Sequence, residues 1–298
     1  MEPHAPYAPK PESLKLFDRG FEGQLDGSQK SINRAGRIRP KVSAEDVEHL
    51  LDLYDAEIYD ADQGFADFLE LLQKAGRLDN ALIVFVADHG EGFNEHRTLG
   101  HGNTLNQEGM HVPLIIRYPD GEFAGIRVSE RVSSIDVLPT LLAVLGIDPP
   151  MKYPLSGRNI TPAALDSSPC PEAPIYAEVA RYDGDDLVLA SVIDEDGYKR
   201  VLNTSRLRGM WPFRGVRPLW GMRATKESIG LWNTQEDVGE QLDLRSTNPV
   251  RAAYHEQLIA RWLQEQRHWR DVLVREPAPP VELTDEMRKE LRELGYLE

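Results

Sequence analysis

The spacing of apolar residues divides the chain into stretches of distinct period. Residues 1–43 are rich in Pro, Gly and charge, follow neither a 2.0 nor a 3.6 repeat, and read as an irregular loop. From Ser43 onward, Val47, Leu51, Tyr54, Ile58, Ala61, Phe65, Phe68 and Leu72 recur at alternating steps of four and three. That spacing predicts a long amphipathic helix over Ala44 to Leu72, opened by a Ser43/Asp46 capping box, eased at Gly64 and closed at Gly76. After a turn at Leu78-Asp79-Asn80 comes Ala81 to Ala87, apolar throughout and of strand length. A strand without alternation is expected to be buried on both faces, as in a parallel sheet covered by helices. A glycine-rich loop, a second apolar run from Val112 to Ile116, and a helix from Ser134 to Leu145 ended by Gly146 complete an α/β part over residues 1–148.

Beyond Pro149 the texture changes. A Pro- and Ser-rich connector at 154–174 leads to short strand-like runs near 175–181, 187–193 and 198–203, too close in sequence for parallel crossovers. These predict an antiparallel sheet covered by a helix at 250–268, with a short charged helix beginning at Thr284, and so a smaller α+β domain over residues 149–298.

A chain of 298 residues with 41% apolar content is long enough for about two domains. Its 34 basic and 49 acidic side chains leave a net charge of −15, which opposes a nucleic-acid partner because phosphate binding needs a basic footprint. No apolar run reaches the ~18–20 residues of a transmembrane segment, and the opening Met1-Glu2-Pro3-His4 lacks the plan of a signal peptide, so the compartment is unreadable. The single cysteine, Cys170, permits neither an internal disulfide nor a Cys-based zinc cluster. Between Ser205 and Lys226 stand Arg206, Arg208, Arg214, Arg217, Arg223 and Lys226 with no acidic residue, interleaved with Trp211, Phe213 and Trp220. This segment reads either as a loop that draws in an anionic substrate or as a solvated excursion between strands.

The chemistry concentrates in Asp88-His89-Gly90-Glu91-Gly92-Phe93-Asn94-Glu95-His96, directly after the first apolar strand, where open α/β sheets bind ligands. An Asp-His pair offers a hard oxygen and an imidazole nitrogen to a divalent cation. His101, twelve residues after His89, adds a further imidazole, and Glu91 and His96 are reserve ligands. Asp-His-Gly also makes ordinary turns; the strand-end position and His101 are what favour a metal.

In chain order, several segments resemble the sulfatase family of the alkaline-phosphatase superfamily. Val84-Phe85-Val86-Ala87-Asp88-His89-Gly90-Glu91 and then Glu108-Gly109-Met110-His111-Val112-Pro113 look like its second metal-binding segment. His4-Ala5-Pro6-Tyr7 is similar to its H-x-P-Y loop, Ile135-Asp136-Val137-Leu138-Pro139-Thr140 to the helix closing the main domain, and Gln241-Leu242-Asp243-Leu244 to its E-L-Y-D-L region. The resemblance implies a partial alkaline-phosphatase-like α/β fold, with a central mixed or parallel sheet flanked by helices, followed by an α+β subdomain. It implies Asp88 and His89 as ligands to calcium or manganese, with His4 and His101 as catalytic contacts to the sulfuryl group or leaving oxygen. His101 stands where many members have a lysine, so its charge state matters near neutral pH.

The family's C-x-P-S-R or S-x-P-S-R nucleophile segment, source of its formylglycine, has no match; Cys170 in Ser168-Pro169-Cys170-Pro171 fits neither pattern nor position. The expectation is therefore a truncated sulfatase-like hydrolase for a sulfate ester or similar anionic carbohydrate, without turnover on its own. Phosphodiester or phosphonate monoester hydrolysis and a non-catalytic anion-binding fragment are the alternatives. A truncated sheet exposes edges and apolar faces, so residues 1–148 expressed separately are expected to self-associate and bind a hydrophobic dye, with residues 150–298 better behaved.

Overall fold

In the computed structural model, which describes residues 3–21, 23–36, 40–148, 155–161, 173–180, 187–204, 228–273, 284–285 and 287–288, the first half is organised around one long helix. The stretch expected to be irregular holds two short helices, α1 (Pro11–Leu14) and α2 (Gln29–Ala35). At four and seven residues they are too short to display a period. The long helix α3 (Ala44–Lys74) starts at the predicted capping box: Asp46 N–H donates to Ser43 Oγ at 3.0 Å, and Ser43 N–H donates to the Asp46 carboxylate at 3.0 Å. It runs unbroken through Gly64 and ends before Gly76, whose φ of 63° is the left-handed conformation that terminates helices.

The face that α3 buries follows the predicted stripe only in its first turns, where Val47, Leu51 and Tyr54 pack against the core. Leu50, Leu53 and Ala56 are buried with Asp52 and Glu57, whereas Ile58 and Phe68 are exposed. Carboxylates decide the matter, because they receive the N-terminal loop. Ala8 N–H donates to Glu57 Oε1 at 2.6 Å, Ser13 Oγ donates to Asp60 Oδ1 at 2.6 Å, and Arg19 Nε donates to Asp52 Oδ1 at 2.7 Å. Over them the loop lays Tyr7, Leu25 and Ile32 against Leu50, Leu53, Phe93 and Leu99 in one apolar cluster. Apolar spacing alone cannot register a helix face held by acidic side chains.

The first apolar run forms β1 (Ile83–Val86), which pairs with β4 (Leu114–Arg117), Ile83 opposite Arg117 and Val86 opposite Leu114. That pairing is antiparallel, and Phe85, Val86 and Ile115 are exposed. The expected parallel strand covered on both faces is therefore corrected for the described residues: an apolar run encodes a demand for burial but not strand direction. Between these strands lie the hairpin of β2 (Gly92–Phe93) and β3 (Leu99–Gly100) and a single helical turn, α4 (Gln107–Met110). The predicted helix near the end of this half is α5 (Val137–Val144), entered through a 3-10 turn at Ser134–Asp136.

The second half contains the expected antiparallel sheet, β5 (Ile175–Ala180), β6 (Leu187–Ile193), β7 (Tyr198–Asn203) and β8 (Leu231–Asn233) in that spatial order, with α6 (Pro249–Leu273) packed on it. Alternation along the strands splits their side chains between two buried faces. Ala190, Val192 and Leu202 meet Ile259 and Leu263 of α6, while Leu189, Val201 and Trp232 meet Leu105 from the first half. Ion pairs fix α6: Arg200 with Glu256 at 2.6 Å and Arg251 with Asp194 at 2.8 Å. Among the described residues no helix is long and apolar enough to cross a membrane. Cys170 and the basic segment Arg206 to Lys226 lie outside the described residues.

Candidate active site

The N-terminal loop and two turns 85 or more residues further on place one histidine each at the same spot. His4 comes from the loop clamped on α3, His89 from the turn after β1, and His101 from the turn after β3; their nitrogens lie within 4.8 Å of one another. Ring centroids are 4.9 Å apart for His4 and His101, 6.1 Å for His4 and His89, and 3.9 Å for the stacked His89 and His101.

Each ring is oriented through its Nδ1. That atom lies 2.6 Å from Ala5 O in His4, 2.9 Å from Gly90 O in His89, and 3.2 Å from Glu91 Oε1 in His101. An oxygen acceptor at Nδ1 selects the Nδ1–H tautomer, which makes Nε2 the lone-pair nitrogen of a neutral ring. Glu91, with a side chain 4% exposed, is itself held by Tyr7, whose hydroxyl donates to Glu91 Oε2 at 3.0 Å. Burial and the adjacent Glu91 carboxylate push the Tyr7 phenol well above its ordinary pKa, so it remains a donor. Burial lowers the pKa of His4, with the His101 and His89 rings acting in the same direction. Tyr7 is thus a site residue that sequence reasoning did not assign, and Glu91, a reserve ligand in the sequence, instead orients the His101 ring.

Asp88 stands apart from this cluster. Its carboxylate is 76% exposed, accepts the His89 N–H at 3.1 Å, and lies 3.8 Å from His89 Nε2. Metal–ligand bonds of about 2.0–2.2 Å on each side would bridge such a gap, so the pair fits one shared divalent ion. The two residues supply only two donors.

Gly90 explains how the His89 turn reaches its position. Its N–H donates to Gly109 O at 3.0 Å, and a Cβ there would lie 2.1 Å from the backbone oxygen of Glu108. Only glycine admits that approach. His96, a reserve ligand in the sequence, belongs to a different network: Nδ1 lies 2.9 Å from Glu108 Oε1 and Nε2 lies 3.4 Å from Glu240 O. Burial disfavours the imidazolium of His96, but the Glu108 carboxylate overcomes this and raises its pKa. Glu240 also receives Asn106 Nδ2 at 2.8 Å, the Gln107 N–H at 3.0 Å and Lys199 Nζ at 2.7 Å. The loop that carries His101 is thereby tied to β7 of the second half.

Comparison with known proteins bears on the family and the fold. The Sulfatase family model matches residues 1–147. An endo-4-O-sulfatase of Bacteroides thetaiotaomicron is 30% identical over 139 residues, 43% of this chain and 25% of the relative. Among solved structures, a protein in complex with its substrate D-glucosamine-2-N,6-O-disulfate superposes with a TM-score of 0.60 at 16% identity, over 91% of this chain and 64% of that one. The phosphonate monoester hydrolase of Agrobacterium radiobacter superposes with a TM-score of 0.57 at 24% identity, over 75% of this chain and 43% of that one. Fold and site together define an α/β unit with an antiparallel companion sheet. The match to the sulfatase family takes in the first 147 of the 298 residues, the part that carries all three histidines. In the matched region the chain accounts for about a quarter of the length of the curated endo-4-O-sulfatase.

Proposed function

We propose that this chain is the histidine-bearing part of a metal-dependent sulfuric ester hydrolase acting on a sulfated carbohydrate or a similar anionic small molecule. Residues 1–148 would be part of its catalytic α/β unit and residues 149–298 the accompanying α+β unit. The observation that carries the reading is the convergence of His4, His89 and His101 inside the region that matches the sulfatase family.

Asp88 and His89 would hold a divalent ion, calcium or manganese, which when bound supplies Lewis-acid polarisation of the ester oxygens. His4 and His101 face the same space from two loops. The Tyr7–Glu91 pair fixes the ring of His101, so Nε2 is the atom that meets the leaving oxygen, where it donates a proton only as the imidazolium, with Nδ1–H kept on Glu91. Burial lowers the pKa of His4, which favours its neutral ring and leaves the Nε2 lone pair available to the substrate.

Calorimetric titration of the full chain with glucosamine 2-N,6-O-disulfate in the presence of calcium should give saturable binding, weakened at least tenfold in His4→Ala and in His101→Ala. Unsulfated glucosamine should not bind. Equal binding of sulfated and unsulfated sugar would remove the proposal, and selective binding of a phosphonate monoester instead would move the assignment to that hydrolase class.

A further inference from the structure

The orientation of the three rings carries a consequence that the Asp88–His89 pair does not. His4, His89 and His101 each place Nδ1 at an oxygen acceptor, which leaves Nε2 as the lone-pair nitrogen of the neutral ring, and one ring nitrogen of each lies within 4.8 Å of the others. In one of the three the acceptor is a buried carboxylate, Glu91, anchored in turn by Tyr7. A carboxylate behind an imidazole is the arrangement that raises the basicity of a metal-binding histidine and fixes its tautomer. Two other clusters with metal-ligand spacing already contain a cation of the chain's own: Arg19 on Asp52, and Lys199 on Glu240. The three-imidazole cluster contains the Glu91 carboxylate behind it rather than an ion pair within it.

The geometry points to a second binding mode for this pocket: His4, His89 and His101 together capture a borderline transition-metal ion of the Zn2+ class, in competition with the sulfate ester. Three nitrogens and no carboxylate in the inner sphere favour zinc, cobalt or copper over calcium, which takes oxygen ligands. Tetrahedral coordination with Zn–N bonds near 2.0–2.1 Å places the nitrogens about 3.4 Å apart, so capture draws them inward from the present limit of 4.8 Å. It also opens the 3.9 Å stack between His89 and His101, whose rings must diverge to point at one ion. Both are side-chain rotations of about an ångström, within the reach of rings carried on turns. The competition clause rests on the proposed sulfatase reading; the metal site itself does not.

Titration of the full chain with Zn2+ tests the site directly. One ion should bind per chain, with affinity lowered at least thirtyfold in His4→Gln and in His101→Gln. Glu91→Gln should lose about tenfold to a hundredfold. Asp88→Ala should change it less than threefold, and calcium should not displace the zinc. Co2+ added to the unmodified chain provides an independent measurement, which does not depend on how any variant folds: intense visible bands mark a nitrogen-rich four- or five-coordinate ion. Pale six-coordinate bands, or zinc binding abolished by Asp88→Ala and untouched by His4→Gln, would place the ion on the Asp88–His89 pair and overturn the proposal. Saturating zinc should also weaken glucosamine disulfate binding at least tenfold. Unchanged sugar binding would overturn the competition, whereas zinc binding without any sugar binding would leave the metal site standing and remove only the sulfatase reading.

Discussion

Glu240→Ala is expected to lower the unfolding free energy by about 3–5 kcal/mol, read as a fall in the midpoint of chemical denaturation, while Glu240→Ala combined with Lys199→Met recovers most of the loss. The reasoning turns on what each change leaves behind. Lys199 and Glu240 are both fully buried, with Nζ and Oε1 2.7 Å apart. At an effective dielectric of about 20, their attraction is about 6 kcal/mol, comparable with the several kcal/mol per ion that desolvation costs, so the intact pair contributes little net stability. Burial shows its cost in the Lys199 ammonium, whose pKa is lowered even with Glu240 beside it. Removing the carboxylate strands the ammonium and also orphans the donors of Asn106 and Gln107. Replacing both partners removes the buried charge altogether. A single variant within 1 kcal/mol of the unmodified chain would show that water reaches Lys199 and that Glu240, through Asn106 and Gln107, is not a lock between the two halves.

This lock was not legible in the sequence, and the reason is physical. Glu240 follows β8 by a few residues and Lys199 lies on β7, and their pairing depends on register, which no single-strand pattern encodes. What did read correctly was local. The Ser43/Asp46 capping box, the helix stop at Gly76 and the antiparallel run of β5 to β7 are each set by residues within a few positions of one another. Misreadings arose where a local signal met a non-local partner. The apolar stripe of α3 ignored Asp52 and Glu57, because an acidic residue on a helix reads as solvent-facing until a loop arrives to donate to it. The run around β1 signals burial and predicts a parallel strand, yet its register with β4 is antiparallel. At the site, the motifs named the three histidines one by one. Their convergence came from the clamp of residues 3–19 on α3 and from the close approach of Gly90 to Glu108. Glu91 was within view as a reserve ligand, but its role behind His101 required knowing that Tyr7, 84 residues away, donates to it.

Trp232→Ala is expected to cost about 3–5 kcal/mol and, beyond that, to loosen the loop that carries His101. Trp232 is 1% exposed and lies on the sheet face opposite α6. There it joins Leu189 and Val201 of its own sheet to Leu105, just before α4 in the first half, with Met110, the last residue of α4, packed alongside. Truncation to alanine opens a cavity that the strands, pinned by their hydrogen-bond ladder, cannot collapse to fill, so the transfer and cavity contributions add. Because the missing surface belongs to the junction and not to the interior of either half, the defect should spread toward residues 105–111. Amide hydrogen exchange there should accelerate at least tenfold, a local opening distinct from global unfolding. Trp262→Ala is the matched comparison: that ring stacks on Tyr176 at 5.0 Å on the α6 side. It should destabilise the sheet less and leave exchange at 105–111 unchanged. If both tryptophan variants raise exchange at 105–111 equally, the loop responds only to overall stability. Selective acceleration in Trp232→Ala would mean that the second sheet, through a tryptophan remote from the chemistry, helps hold His101 in place.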